Sequence, residues 1–524
     1  MRFLPGLIAI ALILAVVGAA LIGLFTATGP ETTDLPWRYV EGVVRFTLLQ
    51  SALSSLLSLT IGATLALALA RRSFPGRGIF IAALNLASVL PAIVAVFGIV
   101  AVLGRAGWVG EGMRTLGLDA GSWLYGLPGI LIGHVFFNAP LAARVFLGSL
   151  ATVPGEQWRL AAQLGMRPFD IFRLLDWPVL WREVPALAAL IFLLCFTSFA
   201  IVLALGGGPG TATLEVAIYG AIRFDVDFAR AGLLALLQIA ICAAITLPLL
   251  LWMRRPLETA VVGATWQRPD ADDPRLRAFD RVVLVAAALL VLPPLAAVVT
   301  SGLLTFSSLF RPDVGHALAT SLAIALPGSA IALSLALGIA VSARNLRARG
   351  RGALASALVV PAGLTLALPP VAVSAGLFVI LRNRSDPFAL AIPLIILVNA
   401  LTALPFVLRQ LEPPLALSAE RYGRLAESLG VSGLWRIRLI DWPMLRRPFA
   451  AAFAVAAALS LGDLGVAAFF GSGNILTLPL LIYQRMGSYR MAESASVALL
   501  LSLLVLALFL VAQKWSGDAL ARSR

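Results

Sequence analysis

Residues 159–182 read RLAAQLGMRPFDIFRLLDWPVLWR, and residues 424–447 read RLAESLGVSGLWRIRLIDWPMLRR. Arg159-Leu160-Ala161, Leu164-Gly165, Arg173-Leu174, Asp176-Trp177-Pro178, Leu180 and Arg182 recur as Arg424-Leu425-Ala426, Leu429-Gly430, Arg438-Leu439, Asp441-Trp442-Pro443, Leu445 and Arg447. The register is ungapped, with 159 answering 424 and 182 answering 447 in a chain of 524 residues. One half of the chain therefore copies the other. The copied segment is polar and basic while its surroundings are apolar. It reads as a soluble module kept twice inside a membrane-embedded chain, and so as two matched docking sites.

Hydrophobic residues make up 60% of the chain and charged residues 13%. That balance excludes disorder and marks an integral membrane protein. The formal net charge of +14 does not point to nucleic acid, because the basic residues are spaced between apolar runs rather than gathered in a patch with stacking aromatics. Cys195 and Cys242 lie inside apolar runs and read as small buried side chains, neither a disulfide framework nor metal ligands. His134 and His316 have no neighbours that would complete a haem or metal site, so no metal is expected.

A helix needs about 20 apolar residues to cross the hydrocarbon core. Twelve stretches qualify, at about 7–25, 44–70, 79–103, 127–149, 184–205, 229–252, 281–303, 316–342, 353–381, 388–410, 449–470 and 492–513. The first follows Arg2 but lacks a small-residue cleavage site before Pro30, and is read as a retained helix. With the N-terminus inside, most of the 40 basic residues fall on the cytoplasmic side, from Arg71, Arg72 and Arg77 to Lys514, Arg522 and Arg524. The outer side collects Glu31, Asp34, Glu41, Glu111, Asp119, Asp225 and Asp227. This bias places both termini and both copies of the repeated segment in the cytoplasm.

The expected fold is all-α, with about twelve transmembrane helices in two six-helix repeats, residues 1–253 and 282–524, each carrying one cytoplasmic loop, 154–183 and 418–447. Residues 254–281, charged and proline-bearing, form the linker. An even number of spans per half makes the repeat parallel. The likeness extends further: Leu90-Pro91 answers Leu368-Pro369, Asn138-Ala139-Pro140 answers Asn399 through Pro405, and Gly206-Gly207-Gly208 answers Gly471-Ser472-Gly473.

Each loop copy fits two short helices joined by a turn. Gly165 and Gly430 sit where the first helix stops and reverses, a place that favours a left-handed residue. Pro178 and Pro443 are expected to end the second helix, with Trp177 and Trp442 at the headgroup layer. Arg173 with Asp176, and Arg438 with Asp441, are three apart and are expected to pair along one face.

The spacing resembles the EAA loop of ABC-importer permeases: Glu-Ala-Ala, three residues, Gly, nine residues, Ile, one residue, Leu-Pro. Here Arg159-Leu160-Ala161 (with Ala162 following), Gly165, Leu175 and Trp177-Pro178 take those places, and again Arg424-Leu425-Ala426, Gly430, Ile440 and Trp442-Pro443. Both copies replace the glutamate by arginine and the leucine by tryptophan. Two loops in one chain resembles the fused, twelve-span branch that includes iron(III) and thiamine permeases. Stretches such as PAIVAVFG (91–98), GHVFFNAP (133–140), PGEQWRLAAQLG (154–165) and LSLGDLG (459–465) are similar to the thiamine-permease branch. The resemblance implies a bacterial inner-membrane subunit whose loops form coupling helices on a homodimeric ABC ATPase. It also implies a periplasmic substrate-binding protein that delivers thiamine or its phosphates, with iron(III) as the alternative cargo.

Lys514 is the only lysine, so the chain lacks a Walker A motif; no cofactor is expected on it, and ATP with its magnesium belongs to the partner. Gly206–Gly210 and Gly471–Gly473 are places where outer loops can rearrange. Asp463 is the clearest acid inside a span. It either meets a cationic cargo in the pathway or closes a helix end, and Ser198 is its counterpart. Tyr219 and Tyr483 read as interface tyrosines or as a stacking surface, and Asn138 and Asn399 as interhelical bonds or pathway lining. A secondary transporter would need a coupling-ion site, and a membrane enzyme a catalytic constellation. Asp463 and two histidines supply neither.

Overall fold

The computed structural model describes residues 3–27, 37–118, 123–252, 268–382, 386–431, 433–471 and 475–515. The linker up to Gln267, the outer acids Glu31, Asp34 and Asp119, Ser472-Gly473 and the basic residues Arg2, Arg522 and Arg524 lie outside the described residues. The first half contains α1 (Leu4–Ala27), α2 (Trp37–Arg71), α3 (Arg77–Val89), α4 (Ala92–Leu103), α5 (Trp108–Thr115), α6 (Leu127–Leu150), α7 (Gly155–Gln163), α8 (Pro168–Ile171), α9 (Trp177–Phe196), α10 (Ala200–Leu205), α11 (Leu214–Arg223) and α12 (Phe228–Trp252). The second contains α13 (Pro274–Leu304), α14 (Pro312–Arg347), α15 (Gly352–Leu364), α16 (Pro370–Arg382), α17 (Ala391–Ser428), α18 (Gly433–Arg436), α19 (Trp442–Leu461), α20 (Gly465–Phe470), α21 (Leu478–Gly487) and α22 (Met491–Trp515). Among the described residues, 11 helices are long and apolar enough to cross a membrane, or 12 if the bent pair α15–α16 is one span.

The repeat is visible in single bonds. The Leu214 amide donates to Thr47 Oγ1 at 3.1 Å, and the Leu478 amide donates to Ser321 Oγ at 2.9 Å, tying α11 to α2 and α21 to α14 in the same way. The first helix of each half crosses to the other half: α1 lies on α14, α15 and α16, while α13 lies on α2, α3 and α4. Two glycines in corresponding places permit these crossings. A Cβ on Gly376 would stand 2.1 Å from the Ala20 carbonyl of α1, and one on Gly98 would stand 2.6 Å from the Pro294 carbonyl of α13. In lipid, where apolar contact with tails is no worse than contact with protein, such close backbone packing is what holds helices together.

Four predicted spans are broken. Stretch 79–103 is interrupted between α3 and α4 at Leu90-Pro91, and 353–381 between α15 and α16 at Leu368-Pro369, where the axis turns by 93°. Leu90 and Leu368 have extended backbone, the geometry a following proline imposes. Stretches 184–205 and 449–470 start earlier than expected, at Trp177 and Trp442, and break at Thr197–Phe199 and Gly462–Leu464. Pro178 and Pro443 therefore sit in the first turn of a long helix, correcting the expectation that they end a short one. A π turn precedes each, over Phe172–Asp176 and Ile437–Asp441. The Trp177 amide bonds back to the Phe172 carbonyl and that of Trp442 to the Ile437 carbonyl. This wider turn carries the chain past a proline ring that would clash in an α-helix.

Candidate functional site

The two loops are built alike at their turning points. Gly165 (φ 58°) and Gly430 (φ 65°) are left-handed. The Met166 amide bonds to the Ala161 carbonyl and that of Gly165 to Ala162; Val431 bonds to Ala426 and Gly430 to Glu427. These paired bonds form a Schellman stop, which satisfies the last carbonyls of each helix. Ala161 and Ala426 are buried beneath it. On the exposed side of the loops, Leu160, Leu164 and Leu174 are 55%, 67% and 62% exposed; their counterparts Leu425, Leu429 and Leu439 are 54%, 68% and 58% exposed. Phe169 and Trp435 extend each face. Arg159 and Arg424 open the repeated segments, on α7 and near the end of α17. Exposed apolar faces of this kind are found at protein-contact and membrane-contact surfaces.

The buried aspartates do not pair with the arginines three residues earlier. Asp176 takes two bonds from the Arg268 guanidinium, at 3.0 and 2.7 Å, and Asp441 is bound by Arg344 and by Ser418 Oγ at 2.7 Å. Both carboxylates are fully buried, and a buried charge requires a desolvated partner. Arg173 and Arg438 are exposed.

The four breaks lie against one another. A Cβ on Gly462 would lie 3.2 Å from Pro91 Cβ, joining the break of α19–α20 to that of α3–α4. A Cβ on Gly465 would lie 3.2 Å from Val371 Cγ2 and 3.5 Å from the Phe199 ring, which brings in the other two. Non-helical backbone at membrane depth is tolerated where it is buried in protein or lines a cavity. Asp463 lies within one break and Ser198 within another, and both are partly exposed, as are Gly462 and Thr197 before them, while Leu464 and Phe199 after them are buried. Asp463 also closes the start of α20, its carboxylate accepting from the Val466 and Ala467 amides at 3.3 Å each. Helix capping and an accessible position thus coexist in this one residue.

The remaining sequence candidates are placed as follows. Asn138 Nδ2 donates to Cys195 Sγ at 3.3 Å, and Asn399 Nδ2 to Ser460 Oγ at 2.9 Å; both are buried bonds between helices. Tyr219 is buried edge-on against Phe199, ring centroids 5.3 Å apart. Tyr483 is half-buried on α21. His134 accepts or donates a bond with Ser54 Oγ at 2.9 Å inside the first half. Sequence reasoning missed Glu215. It is fully buried at the start of α11, one turn before Tyr219, and holds Gln238 Nε2 at 3.2 Å, while its Oε2 has no partner among the described residues. An acid opening the otherwise apolar run Leu214–Ile222 was the available signal.

Comparison with known proteins agrees with this architecture. Residues 334–521 match the model of the binding-protein-dependent transport system inner membrane component. The thiamine transport system permease protein of Escherichia coli (strain K12) is 42% identical over 98% of this chain and 96% of its own length. That of Brucella abortus (strain 2308) is 42% identical over 97% and 94%, and that of Haemophilus influenzae 35% identical over 97% and 95%. The chain belongs to the family of binding-protein-dependent ABC-importer permeases. It is a multi-pass inner-membrane protein, a transport subunit that works with a substrate-binding protein and an ATPase.

Proposed function

We propose that this chain carries thiamine, and thiamine phosphates, into the cytoplasm, powered by a homodimeric ATPase that docks one subunit on each repeated loop. The observation that carries the docking reading is the matched apolar face: Leu160, Leu164 and Leu174 on one loop, and Leu425, Leu429 and Leu439 on the other. Both loops and both termini face the cytoplasm in this reading, as the distribution of basic residues requires. ATP and its magnesium are bound by the ATPase. Closure of the ATPase dimer on ATP moves the two loops relative to each other, and the halves reorient about the converging breaks at Pro91, Phe199, Val371 and Gly462. The binding protein presents cargo at the outer loops, near Gly206 and Gly471.

Thiamine is favoured as cargo by relatives named for it that match nearly the whole chain, and no observation favours ferric ion. Its thiazolium ring carries a fixed positive charge. Asp463 offers a carboxylate at the central breaks, with Ser198 as its neutral counterpart, and Tyr219 and Phe199 add an aromatic surface beside it. Asn138 and Asn399 hold the helices that flank this region.

The test is uptake of labelled thiamine in cells lacking this chain, with ferric ion as control. Restoration of thiamine uptake by the cloned chain is the expected result. Restoration of ferric uptake alone overturns the cargo assignment while leaving the permease assignment intact.

A further inference from the structure

The two loops have the same turn but are not braced alike. The second is an extension of a transmembrane helix, since α17 runs unbroken from Ala391 to Ser428. Its buried Asp441 is held by Arg344 of α14 and Ser418 of α17, both within the second half. The first is a separate helix, because α6 ends at Leu150 and α7 begins at Gly155, after Pro154. Its buried Asp176 is held from outside the first half altogether.

That partner is Arg268, at the far end of the segment joining the halves. Arg268 is buried, binds Asp176 in a two-pronged fashion, and binds Asp270 at 3.0 Å through both Nε and Nη2. Its guanidinium also lies over the Trp158 ring of α7, 4.3 Å from the centroid. Gly423 stands at the corresponding place in the second copy, so the stack has no counterpart there. The attachment continues into the membrane helices: Arg71 of α2 binds Asp280 of α13 at 2.9 Å and approaches Asp270 at 3.7 Å, and Arg72 binds Asp280 at 2.7 Å. One guanidinium thus fixes the π turn through Asp176 and the docking helix through Trp158. Arginine suits this role, since its planar fork serves a carboxylate and stacks on an indole at the same time.

We infer that Arg268 is a positioning residue for the first docking helix, and that the end of the linker is a strut of the coupling apparatus rather than a tether. The second docking helix needs no such strut. The inference rests on the docking role proposed above for the loops.

The test uses the full-length permease with its ATPase and binding protein in proteoliposomes, with a nitroxide label at position 164 or 429. Arg268→Ala is expected to mobilise the label at 164 and leave that at 429 unchanged. Binding-protein-stimulated ATPase activity is expected to fall about tenfold, the scale of a coupling-network substitution. Arg268→Lys and Trp158→Leu, which are milder, give the same pattern in smaller degree and serve if the alanine variant does not accumulate. Unchanged mobility at 164 in all three single variants overturns the strut, as does equal mobilisation at both positions. Mobilisation at 164 alone with undiminished stimulation also overturns the positioning role, and it does so by removing the docking reading while the brace remains.

Discussion

Pro91 of the first half lies directly against Gly462 of the second, so close that a Cβ on the glycine would stand 3.2 Å from the proline's own Cβ. Each residue sits at an interruption of its span, and the contact is where the interruptions of the two halves cross. In the proposed reorientation of the halves, this is one of the contacts that slides. A branched side chain at 462 wedges it. Gly462→Val is expected to lower the uptake rate at least tenfold while the protein still inserts and retains its ATPase; transport assays beside co-purification measure this.

Asp463 is partly exposed at its break and also caps α20. Asp463→Asn keeps an oxygen for one amide and removes the charge. Thiamine uptake is expected to weaken through a higher KM, with little loss of thermal stability. A variant with unaltered KM and rate eliminates charge recognition at this position.

Asp441 and Arg344 form a buried ion pair. Removing one partner of such a pair leaves an uncompensated buried charge and costs about 3–5 kcal/mol. Asp441→Ala is therefore expected to lower the unfolding temperature of the detergent-solubilised protein by several degrees, and the additional change Arg344→Met to recover most of it. Thermal unfolding of the single and double variants reads this directly.

Gly165 and Gly430 are left-handed, yet a Cβ at either would touch nothing within 4 Å. Any effect of substitution there comes from the backbone alone, about 1–2 kcal/mol for an ordinary residue. Gly165→Ala should weaken retention of the ATPase, and Gly165→Asn should weaken it less, because asparagine enters the left-handed region more readily. Titration of ATPase against the immobilised permease compares the two.

Much of this architecture was legible in the chain. The ungapped repeat gave two equivalent loops, and Gly165 and Gly430 marked their turns because only backbone chemistry is needed to place them. Leu90-Pro91 and Leu368-Pro369 were visible as a pair, and proline's effect on the preceding residue explains the breaks found there. Long-range pairing was not legible. Asp176 has Arg173 three residues away, and nothing local says that it is buried and must find Arg268 instead. Pro178 and Pro443 looked like helix ends because π turns have no clear sequence signature. Glu215 went unnoticed because one acid in a short apolar run resembles a loop residue until the packing of α11 against α12 buries it.

The central claim is that the two loops hold the ATPase pair through their matched apolar faces. Leu164 and Leu429 are exposed and carry little of the fold, so an acidic residue at either changes the face without changing the helix. The direct measurement is the amount of ATPase that co-purifies with wild type, Leu164→Asp, Leu429→Asp and the double variant, each checked for intact helical content. The account predicts reduced retention in each single variant and loss in the double variant, with thiamine uptake following. A double variant that keeps its ATPase and still transports would contradict it.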